Sequence, residues 1–372
     1  MKKILFISNI TNRFTNFSIP SIVAAQSLSY EFHLAANLSG FNDDVSKYAV
    51  SFHHIDMVRN PLSPKNINAY RQMLDMIQEE EFDVIHCNTP IGGVLGRLCG
   101  KKGKVPKIIY TAHGFHFYEG APLANRTFFK WAEMWMAHYT DAIITINEED
   151  YKAAQKFNLR NGGNVYCIPG VGIDTKDYRI EGIDREKLRN ELGLTADNIV
   201  LIAMGDLIKR KNYPASIKAI AKADNPRLHF LICGKGPELD ALQNLSKELG
   251  VEEQVHFLGF RSDIKELLNI ADIFLFTTLQ EGLPRSMMEA MAAGLPCIAS
   301  DIRGNGDLIV DGVGGYLKEP EDVDGLAEVI AVLAADQALR ASIGQNNLKT
   351  MKQFDVENVK SEMKKIYKSE LV

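Results

Sequence analysis

The segment IFLFTTLQEGLPRSMMEAMAAGLPCIAS, residues 273–300, contains a complete strand–loop–helix–strand unit. Its apolar runs IFLFT (273–277) and PCIAS (296–300) are short and continuous, which is typical of strands buried on both faces of a parallel sheet. Between them, RSMMEAMAA is rich in helix formers and is followed by Gly294, a common residue just beyond a helix C-terminus. The segment therefore predicts two parallel strands joined by a helix.

The same alternation of apolar runs and helical patterns continues in both directions. In the second half, the other strand-like runs are NIVLIAM (198–204), LHFLIC (228–233) and VHFLG (255–259). In the first half, they are KILFIS (3–8), EFHLAAN (31–37), FDVIHC (82–87), KIIYT (107–111) and DAIITI (141–146). This regular alternation predicts an α/β protein with a doubly wound, Rossmann-like parallel sheet in each half.

The chain has 372 residues, which is too long for one hydrophobic core and indicates two domains. Pro and Gly interrupt the pattern in IPGVGIDTKDY (168–178), so we predict an N-terminal domain over 1–170 and a C-terminal domain over 171–354. Residues 355–372 form an amphipathic pattern that predicts a final helix packing back toward the N-terminal domain. Open parallel sheets bind ligands at their strand ends, so we expect the active site in a central cleft between the domains.

Composition excludes several classes of protein. Hydrophobic residues make up 46% and charged residues 24% of the chain, as in folded globular proteins. The net charge is −5, with a balance of +2 over 1–170 and −7 over the rest, so a nucleic-acid partner is not expected. No apolar run reaches the length of a membrane span. The five cysteines lack metal-ligand spacing, so we expect buried thiols, no metal site and a cytoplasmic location.

A dinucleotide-dependent oxidoreductase is a further class that the sequence excludes. Such an enzyme needs G-x-G-x-x-G where the first strand turns into a helix, because only glycine lets the backbone approach the pyrophosphate. The first glycine of this chain is Gly40. Gly92, Gly93 and Gly96 follow a strand but lack the spacing, and we interpret them as sites of tight helix–sheet packing.

Two glutamates flank the N-terminus of the helix predicted within 273–300. Glu281 lies in the loop before this helix and Glu289 about one turn inside it. A helix N-terminus offers free N–H groups to a phosphate, and carboxylates accept hydrogen bonds from vicinal hydroxyls. Either glutamate alone could be an exposed surface residue. Glu289 lies among Met288, Ala290 and Met291, however, where burial without a partner would be costly, so the pair predicts a nucleotide-sugar site.

The segment resembles the signature of glycosyltransferase family 4, E-x7-E followed by A-x-G-x-P-V-I-A-S-D, with Cys297 in place of the usual valine. Similarity extends over nearly the whole chain, including IPGVGID (168–174) and LICGKGPE (231–238). The resemblance implies a GT-B fold, a retaining mechanism, a UDP-sugar co-substrate, no other cofactor and no required metal. In the family, the first acid lies beside the donor sugar and the second beside the ribose, which implies these roles for Glu281 and Glu289.

One position departs from the family pattern G-R-L-x-x-x-K, whose Arg and Lys hold the diphosphate. Lys211 matches the Lys, and Gly205 the Gly, but Asp206 replaces the Arg. Lys209, Arg210 or Arg285 could supply the missing charge, and we prefer Arg285 because it begins the anion-binding helix; Lys209 and Arg210 could equally form a solvated loop. The remaining residues assigned to the donor site are Arg261, Gly282, Leu283 and Pro284.

The acceptor side is predicted in the N-terminal half. His113 follows the strand KIIYT and precedes Gly114, as in the strand–His–Gly motif of the family, where the His touches the donor sugar. We therefore assign His113 a catalytic role together with Glu281 and Lys211. Glu119 and His116 are placed on the acceptor side, although a structural role suits His116 and also His86. Glu133, in the next helical segment, is interpreted as an internal salt-bridge partner.

FHFYEGAP (115–122), HCNTPIGG (86–93) and IRGNGDL (302–308) together resemble bacterial members that assemble capsular and exopolysaccharides. This resemblance implies a polyprenyl-diphosphate-linked acceptor at the inner membrane face. Both tryptophans lie in 125–139, where an aromatic face forms beside two basic residues. Its members are Phe128, Trp131, Trp135 and Tyr139, with Arg126 and Lys130 nearby. This face predicts peripheral contact with lipid or, alternatively, an ordinary core stripe.

These observations predict a retaining transferase that moves a hexose or N-acetylhexosamine from a UDP-sugar to an acceptor hydroxyl. No residue is placed as a nucleophile, so the family mechanism implies that the acceptor attacks on the face from which the diphosphate leaves. Two alternatives remain open on the sequence: a sugar-nucleotide epimerase of the same fold, and a nucleotide-sugar-binding protein without catalysis.

Overall fold

The computed structural model describes residues 1–61, 63–118 and 120–372. Two compact units divide the chain: unit 1 comprises Met1–Gly172 with Val356–Val372, and unit 2 comprises Ile173–Asp355. Each unit is built on one parallel sheet with helices on both faces. Among the described residues, no helix combines the length and the apolar character needed to cross a membrane.

The strands of each sheet are all parallel to their neighbours. In unit 1 they are β1 (Lys3–Ile10), β2 (Glu31–Asn37), β3 (Val50–His54), β4 (Val84–Asn88), β5 (Lys107–Ala112), β6 (Ala142–Thr145) and β7 (Asn164–Cys167). In unit 2 they are β8 (Ile199–Met204), β9 (Leu228–Cys233), β10 (Val255–Gly259), β11 (Ile273–Phe276), β12 (Cys297–Ser300) and β13 (Gly315–Lys318). The spatial orders are β3-β2-β1-β4-β5-β6-β7 and β10-β9-β8-β11-β12-β13. The predicted doubly wound α/β class is confirmed.

The helices that connect and cover these strands are α1 (Ile19–Ser27), α2 (Lys65–Glu80), α3 (Pro90–Lys102), α4 (Leu123–Ala137), α5 (Glu148–Ala154), α6 (Arg185–Glu191), α7 (Tyr213–Lys222), α8 (Leu239–Glu248), α9 (Ile264–Ile270), α10 (Arg285–Ala292), α11 (Asn305–Leu308), α12 (Val323–Ala335), α13 (Gln337–Met351) and α14 (Val356–Leu371). In unit 2, alternate residues of β8 enter two different apolar clusters, one on each face of the sheet. This two-sided burial explains why the central strands read as continuous apolar runs.

Tight packing of α3 on the sheet of unit 1 depends on small residues. A Cβ atom added to Gly96 would lie 2.5 Å from the Cys87 sulfur, and one added to Gly93 would lie 2.6 Å from the Tyr110 ring. The predicted role of these glycines in helix–sheet packing is confirmed. On the same helix, the buried Arg97 Nη1 donates to Glu133 Oε2 at 2.8 Å, which confirms Glu133 as an internal salt-bridge partner.

The cysteines follow the prediction with one exception. The described structure buries the free thiols of Cys87, Cys99, Cys233 and Cys297, whereas Cys167 is exposed. Cys167 is the last residue of β7, which lies at the edge of its sheet and is covered on neither face as completely as the central strands. The expectation of burial was therefore wrong for this residue.

Helix α14 returns to unit 1 after the whole of unit 2 and packs against α1. Its Tyr367 hydroxyl lies 2.6 Å from Nδ1 of the fully buried His86, whose Nε2 lies 2.7 Å from the Thr111 hydroxyl. Burial lowers the pKa of His86 to about 3, so its imidazole is neutral and satisfied by two hydroxyl groups. At the end of α14, Glu370 accepts from the Lys107 ammonium at 2.7 Å. His86 thus has a structural role.

Replacing Tyr367 by Phe should destabilise unit 1, because it leaves a buried imidazole nitrogen short of a strong partner. We expect a loss of about 1–2 kcal/mol in the free energy of unfolding. Both tryptophans of the chain belong to unit 1, so tryptophan fluorescence in a urea titration reports on this unit. Tyr70→Phe is the matched control, because Tyr70 is a half-buried residue of unit 1 whose hydroxyl has no hydrogen-bond partner among the described residues. Equal midpoints for the two variants would contradict the role of Tyr367.

Candidate active site

The candidate site of unit 2 lies where the strand order of its sheet reverses. Strand β8 lies between β9 and β11, and the chain leaves β8 toward β9 before it returns to β11. Loops that follow two such strands at their carboxyl ends diverge and leave a crevice for ligands. The loop after β8 carries Lys211, and the loop after β11 carries Glu281. The fold therefore brings these two sequence-predicted residues together.

Glu281 accepts three hydrogen bonds on a single carboxylate oxygen. Its Oε1 lies 2.8 Å from the Lys211 ammonium, 2.9 Å from Nη1 of Arg210 and 3.0 Å from the Thr278 hydroxyl. The side chains of Glu281 and Lys211 are only 13% and 12% exposed, whereas Arg210 is 41% exposed. Lys211 also lies 4.7 Å from the centre of the Phe276 ring. Glu281 is consequently a half-buried, charge-paired residue and not an exposed loop acid.

Glu289 is held in the same manner by a second pair of donors. Its Oε1 lies 2.9 Å from the Tyr178 hydroxyl and 2.8 Å from Nε of Arg285, one turn earlier in α10. Burial, together with the charge of Glu289, raises the pKa of Tyr178 to about 12, so the hydroxyl is protonated and donates. The Glu289 side chain is 16% exposed, which excludes a simple surface position.

The two glutamates share one pattern. In each, a hydroxyl group and a cation fix one carboxylate oxygen, while the second oxygen has no hydrogen-bond partner among residues 1–61, 63–118 and 120–372. A carboxylate fixed through one oxygen presents the other in a defined direction and can accept a hydrogen bond from a hydroxyl group there. The arrangement suits recognition of hydroxyl-rich ligands.

Three basic residues could substitute for the family Arg that Asp206 replaces, and the structure distinguishes between them. Asp206 is exposed, and Arg210 lies beside Lys211 on the shared oxygen of Glu281. Arg285, which we preferred as the substitute for the family Arg, is already paired with Glu289. Lys209 is exposed and has no ionic partner in the described part of the chain. The geometry places Arg210, and not Arg285, in the cluster with Lys211.

The other residues predicted for the donor site are placed as follows. Gly205 follows β8 with φ of +152°, and an added Cβ would lie 3.1 Å from Cε of Lys211. Pro284 precedes α10, and no side chain of the described residues caps the N-terminus of this helix. Leu283 packs against the core of unit 2. Gly282 is crowded by the loop after β12, since a Cβ on Gly304 would lie 2.3 Å from the Gly282 carbonyl oxygen.

Arg261, which is also predicted for the donor site, forms no hydrogen bond or ion pair with the described residues around Glu281. Its guanidinium forms a two-point ion pair with Asp263, at 2.8 Å from Nε to Oδ1 and with a second bond from Nη2 to Oδ2. The structure does not connect it to the Glu281 cluster. Its assignment to the donor site stays a prediction.

His113 of unit 1 lies just beyond β5, as predicted. Its Nε2 is hydrogen-bonded to Oδ1 of Asn88, which ends β4, and its ring contacts the Phe17 ring at 4.9 Å between centres. Burial lowers the pKa of His113 to about 4, so the imidazole is neutral near pH 7. Its Nδ1 is buried and has no hydrogen-bond partner among the described residues. Phe17 and Asn88 also line a pocket of about 320 Å³ that includes Arg13.

The remaining acceptor-side predictions receive less support. His116 is exposed, and its ring contacts that of Phe129 at an angle of 36°, with 5.1 Å between ring centres. Glu119 lies outside the described residues. The aromatic face of α4, in contrast, is exposed, which rules out the alternative of an ordinary core stripe: Phe128 is 63%, Trp131 65% and Trp135 44% exposed.

Several contacting residues escaped the sequence-based prediction. Thr278 and Tyr178 fix the two glutamates, Asn88 holds His113, and Nε of Arg303 donates to the Glu281 carbonyl oxygen at 3.2 Å. Tyr178 ends the predicted junction 168–178 and lies four residues beyond the stretch 168–174 that resembles the family. No motif or periodicity in the sequence identifies Thr278, Asn88 or Arg303 as a site residue.

Comparison with known proteins agrees with this geometry. The family model described as Glycosyl transferases group 1 matches residues 184–350, and that described as Glycosyl transferase 4-like matches residues 3–147. Among solved structures, HepE from Anabaena in complex with UDP and glucose has a TM-score of 0.81 with 22% identity, covering 99% of this chain and 100% of that one. The fold is therefore of the GT-B class.

Sequence relatives identify the family. EpsD of Bacillus subtilis, which is named as a glycosyltransferase, is 36% identical over 371 residues, with 98% of this chain and 96% of EpsD covered. A UDP-Gal:alpha-D-GlcNAc-diphosphoundecaprenol alpha-1,3-galactosyltransferase of Escherichia coli is 27% identical, with 84% and 81% covered. The chain belongs to glycosyltransferase family 4. It is a glycosyltransferase of polysaccharide biosynthesis that uses a nucleotide-sugar donor.

The burial of the charge pairs predicts unequal coupling to Glu281. A double-mutant cycle with Lys211→Met and Glu281→Gln should give a coupling energy of about 2 kcal/mol in urea unfolding, because both side chains are largely withdrawn from water. The equivalent cycle with Arg210→Met should give below about 1 kcal/mol, since water screens the more exposed guanidinium. Equal coupling energies in the two cycles would contradict this ranking.

Proposed function

We propose that the protein is a retaining transferase that moves a hexose or N-acetylhexosamine from a UDP-sugar to a polyprenyl-diphosphate-linked acceptor. The observation that carries this proposal is the cluster of Glu281, Lys211 and Arg210 at the switch point of the unit 2 sheet. Support for the nucleotide comes from the UDP bound in the structurally similar HepE, and support for the acceptor from the name of the galactosyltransferase relative.

The donor would be held by three groups of contacts. The free oxygen of Glu281 accepts from hydroxyl groups of the sugar, and that of Glu289 accepts from the ribose. Lys211 and Arg210 face the diphosphate, with further donors from the uncapped N-terminus of α10. Lys211 keeps two of its three N–H donors for the phosphate while the third remains on Glu281. Arg210 thereby supplies the charge that Asp206 does not.

The chemistry follows from where charge develops. As the bond from the anomeric carbon to the diphosphate breaks, negative charge collects on the leaving diphosphate, and Lys211 and Arg210 stabilise it. The acceptor oxygen forms its new bond to the same carbon on the same face, and its proton passes to the leaving diphosphate. The configuration at the anomeric carbon is retained. Because two protein cations and the N-terminus of α10 face the diphosphate, we propose that the reaction requires no divalent metal.

His113 would contribute through a neutral imidazole. Asn88 fixes one ring nitrogen, and the buried Nδ1 is directed away from that bond without a protein partner among the described residues. A neutral imidazole can donate or accept a hydrogen bond with a sugar hydroxyl. The roles of Glu119 and His116 toward the acceptor remain predictions.

Helix α4 would bring the protein to the cytoplasmic membrane surface, where a polyprenyl-linked acceptor resides. Its exposed apolar residues border a groove of about 980 Å³ whose rim carries Arg126, Lys130 and Lys156. The parallel rings of Trp131 and Trp135 lie 6.3 Å apart on this surface. Aromatic rings with basic neighbours suit the interface of an anionic bilayer.

The donor assignment is tested with UDP-sugars and a polyprenyl-diphosphate-linked saccharide. We expect transfer with retained anomeric configuration by NMR, undiminished after EDTA treatment, and a fall in kcat of about 100-fold or more in Lys211→Met and in Glu281→Gln. Lys218→Met, an exposed position on α7, is the matched control and should leave kcat unchanged. Inversion of configuration would contradict the mechanism. Isomerised UDP-sugar without acceptor would favour an epimerase, and UDP-sugar binding without turnover a binding protein.

The membrane assignment is tested by tryptophan emission. Both tryptophans lie on α4, so their emission reports on this surface alone. Phosphatidylglycerol vesicles should shift it to shorter wavelength, and phosphatidylcholine vesicles should not. Arg126→Gln with Lys130→Gln should weaken vesicle binding roughly 30-fold, since each basic residue near an anionic surface contributes about 1 kcal/mol. Phe260→Ser, at an exposed position of unit 2, is the control. An unchanged spectrum would rule out the contact.

A further inference from the structure

A second polar pocket of unit 2 lies at the edge of the sheet opposite the candidate active site. It has a volume of about 470 Å³ and is lined by residues at or just before the amino ends of the strands: Ile199 begins β8, Arg227 precedes β9, and Asp272 precedes β11. Lys211 and Glu281, in contrast, follow the carboxyl ends of β8 and β11. The two sites therefore occupy opposite edges of one sheet.

Four arginines converge on this pocket from separate elements. Arg185 and Arg189 come from α6, Arg340 from α13, and Arg227 from the turn before β9. Burial lowers the pKa of Arg185; the charge of Asp272 opposes this shift, and the charges of Arg189 and Arg340 add to it. Such crowding of like charges is unfavourable without nearby negative charge.

The protein supplies only part of the compensating charge. Asp272 pairs through Oδ1 with Arg185 at 3.2 Å and through Oδ2 with the buried Arg189 at 2.8 Å, so both of its oxygens are engaged. Arg340 donates to the carbonyl oxygens of Leu333 and Ala334 and has no carboxylate partner among the described residues.

Two acidic residues of the lining are exposed, and two of its arginines have no carboxylate partner among the described residues. Glu186 and Asp197 also border the pocket, both exposed, and neither forms an ion pair with another residue of the described chain. Arg227 is exposed and likewise lacks an ionic partner within the described ranges. Arg227 and Arg340 thus retain donors directed to no carboxylate.

We propose that this pocket binds a small phosphorylated anion, at a site distinct from the donor site. Guanidinium groups bind phosphate oxygens through paired, charge-assisted hydrogen bonds, and Arg227 and Arg340 are the residues available for such bonds. The volume exceeds that of one phosphate group and falls within the range of small-molecule sites, so it accommodates a diphosphate or a phosphate ester. A bound anion would link α6, α13 and the strand edge.

Inorganic pyrophosphate is the probe, and calorimetric titration of the whole chain is the measurement. The donor site is first filled with excess UDP, so that pyrophosphate reports on the second site alone. We expect one equivalent to bind, and Arg227→Gln to weaken its binding at least about tenfold, as expected for a lost charge-assisted bond. The Arg227 side chain forms no hydrogen bond or ion pair with another described residue, and its backbone contacts are kept in the variant, so this change should leave the fold intact. Arg179→Gln removes the same charge at another exposed position of unit 2 and should bind like the unaltered protein.

Three outcomes would overturn the proposal. These are the absence of binding once UDP is present, equal binding by the unaltered protein and Arg227→Gln, and equal weakening by Arg179→Gln, which would indicate only diffuse charge attraction. Lys211→Met separates this proposal from the donor assignment. If UDP itself does not bind, the titration is carried out on this variant, and pyrophosphate should still bind there and lose affinity with Arg227→Gln.

Discussion

A carboxylate withdrawn from water needs positive charge close by, and Glu281 meets this constraint with Lys211 and Arg210. These ion pairs join the loop after β8 to the loop after β11. Removing Glu281 would leave the half-buried Lys211 without a carboxylate, and removing Lys211 would leave Glu281 with only the more exposed Arg210 as a cation, so each loop conformation depends on the other. Tyr178 and Arg285 impose the same constraint on Glu289. The binding surface is thus fixed by electrostatics before any ligand arrives.

The sequence predicted the interior of both sheets well and their edges poorly. Strands such as β1, β8 and β11 are buried on both faces and appear as continuous apolar runs. The prediction missed β3, β7 and β13, which are three of the four edge strands, and identified the fourth, β10 (Val255–Gly259). An edge strand pairs with one neighbouring strand only and remains partly exposed. Polar residues therefore occur in these strands, such as His53 and His54 in β3 and Asn164 in β7, and they interrupt the apolar pattern. Local sequence carries little signal for such strands.

Some residues of the candidate site could be predicted from a sequence motif, whereas others are identified only by their contacts in the folded protein. Spacing and family resemblance placed Glu281, Glu289 and Lys211, because these residues occupy fixed positions along the chain. The partners Thr278 and Tyr178 were not predicted, and Arg285 was preferred over Arg210 as the source of charge. Tyr178 lies 111 residues before Glu289, so their contact depends on tertiary packing that periodicity does not encode.

Unit 1 is formed by two separate segments of the chain, and these are synthesised before and after unit 2. Helix α14 completes this unit, yet it follows the whole of unit 2 in the chain. During synthesis from the N-terminus, residues 173–355 are all available before Tyr367 can reach His86. Unit 2 therefore has its full sequence before unit 1 does. Until α14 has been synthesised, unit 1 exposes the face of α1 that α14 covers. Unit 1 is therefore synthesised first but completes its folding last.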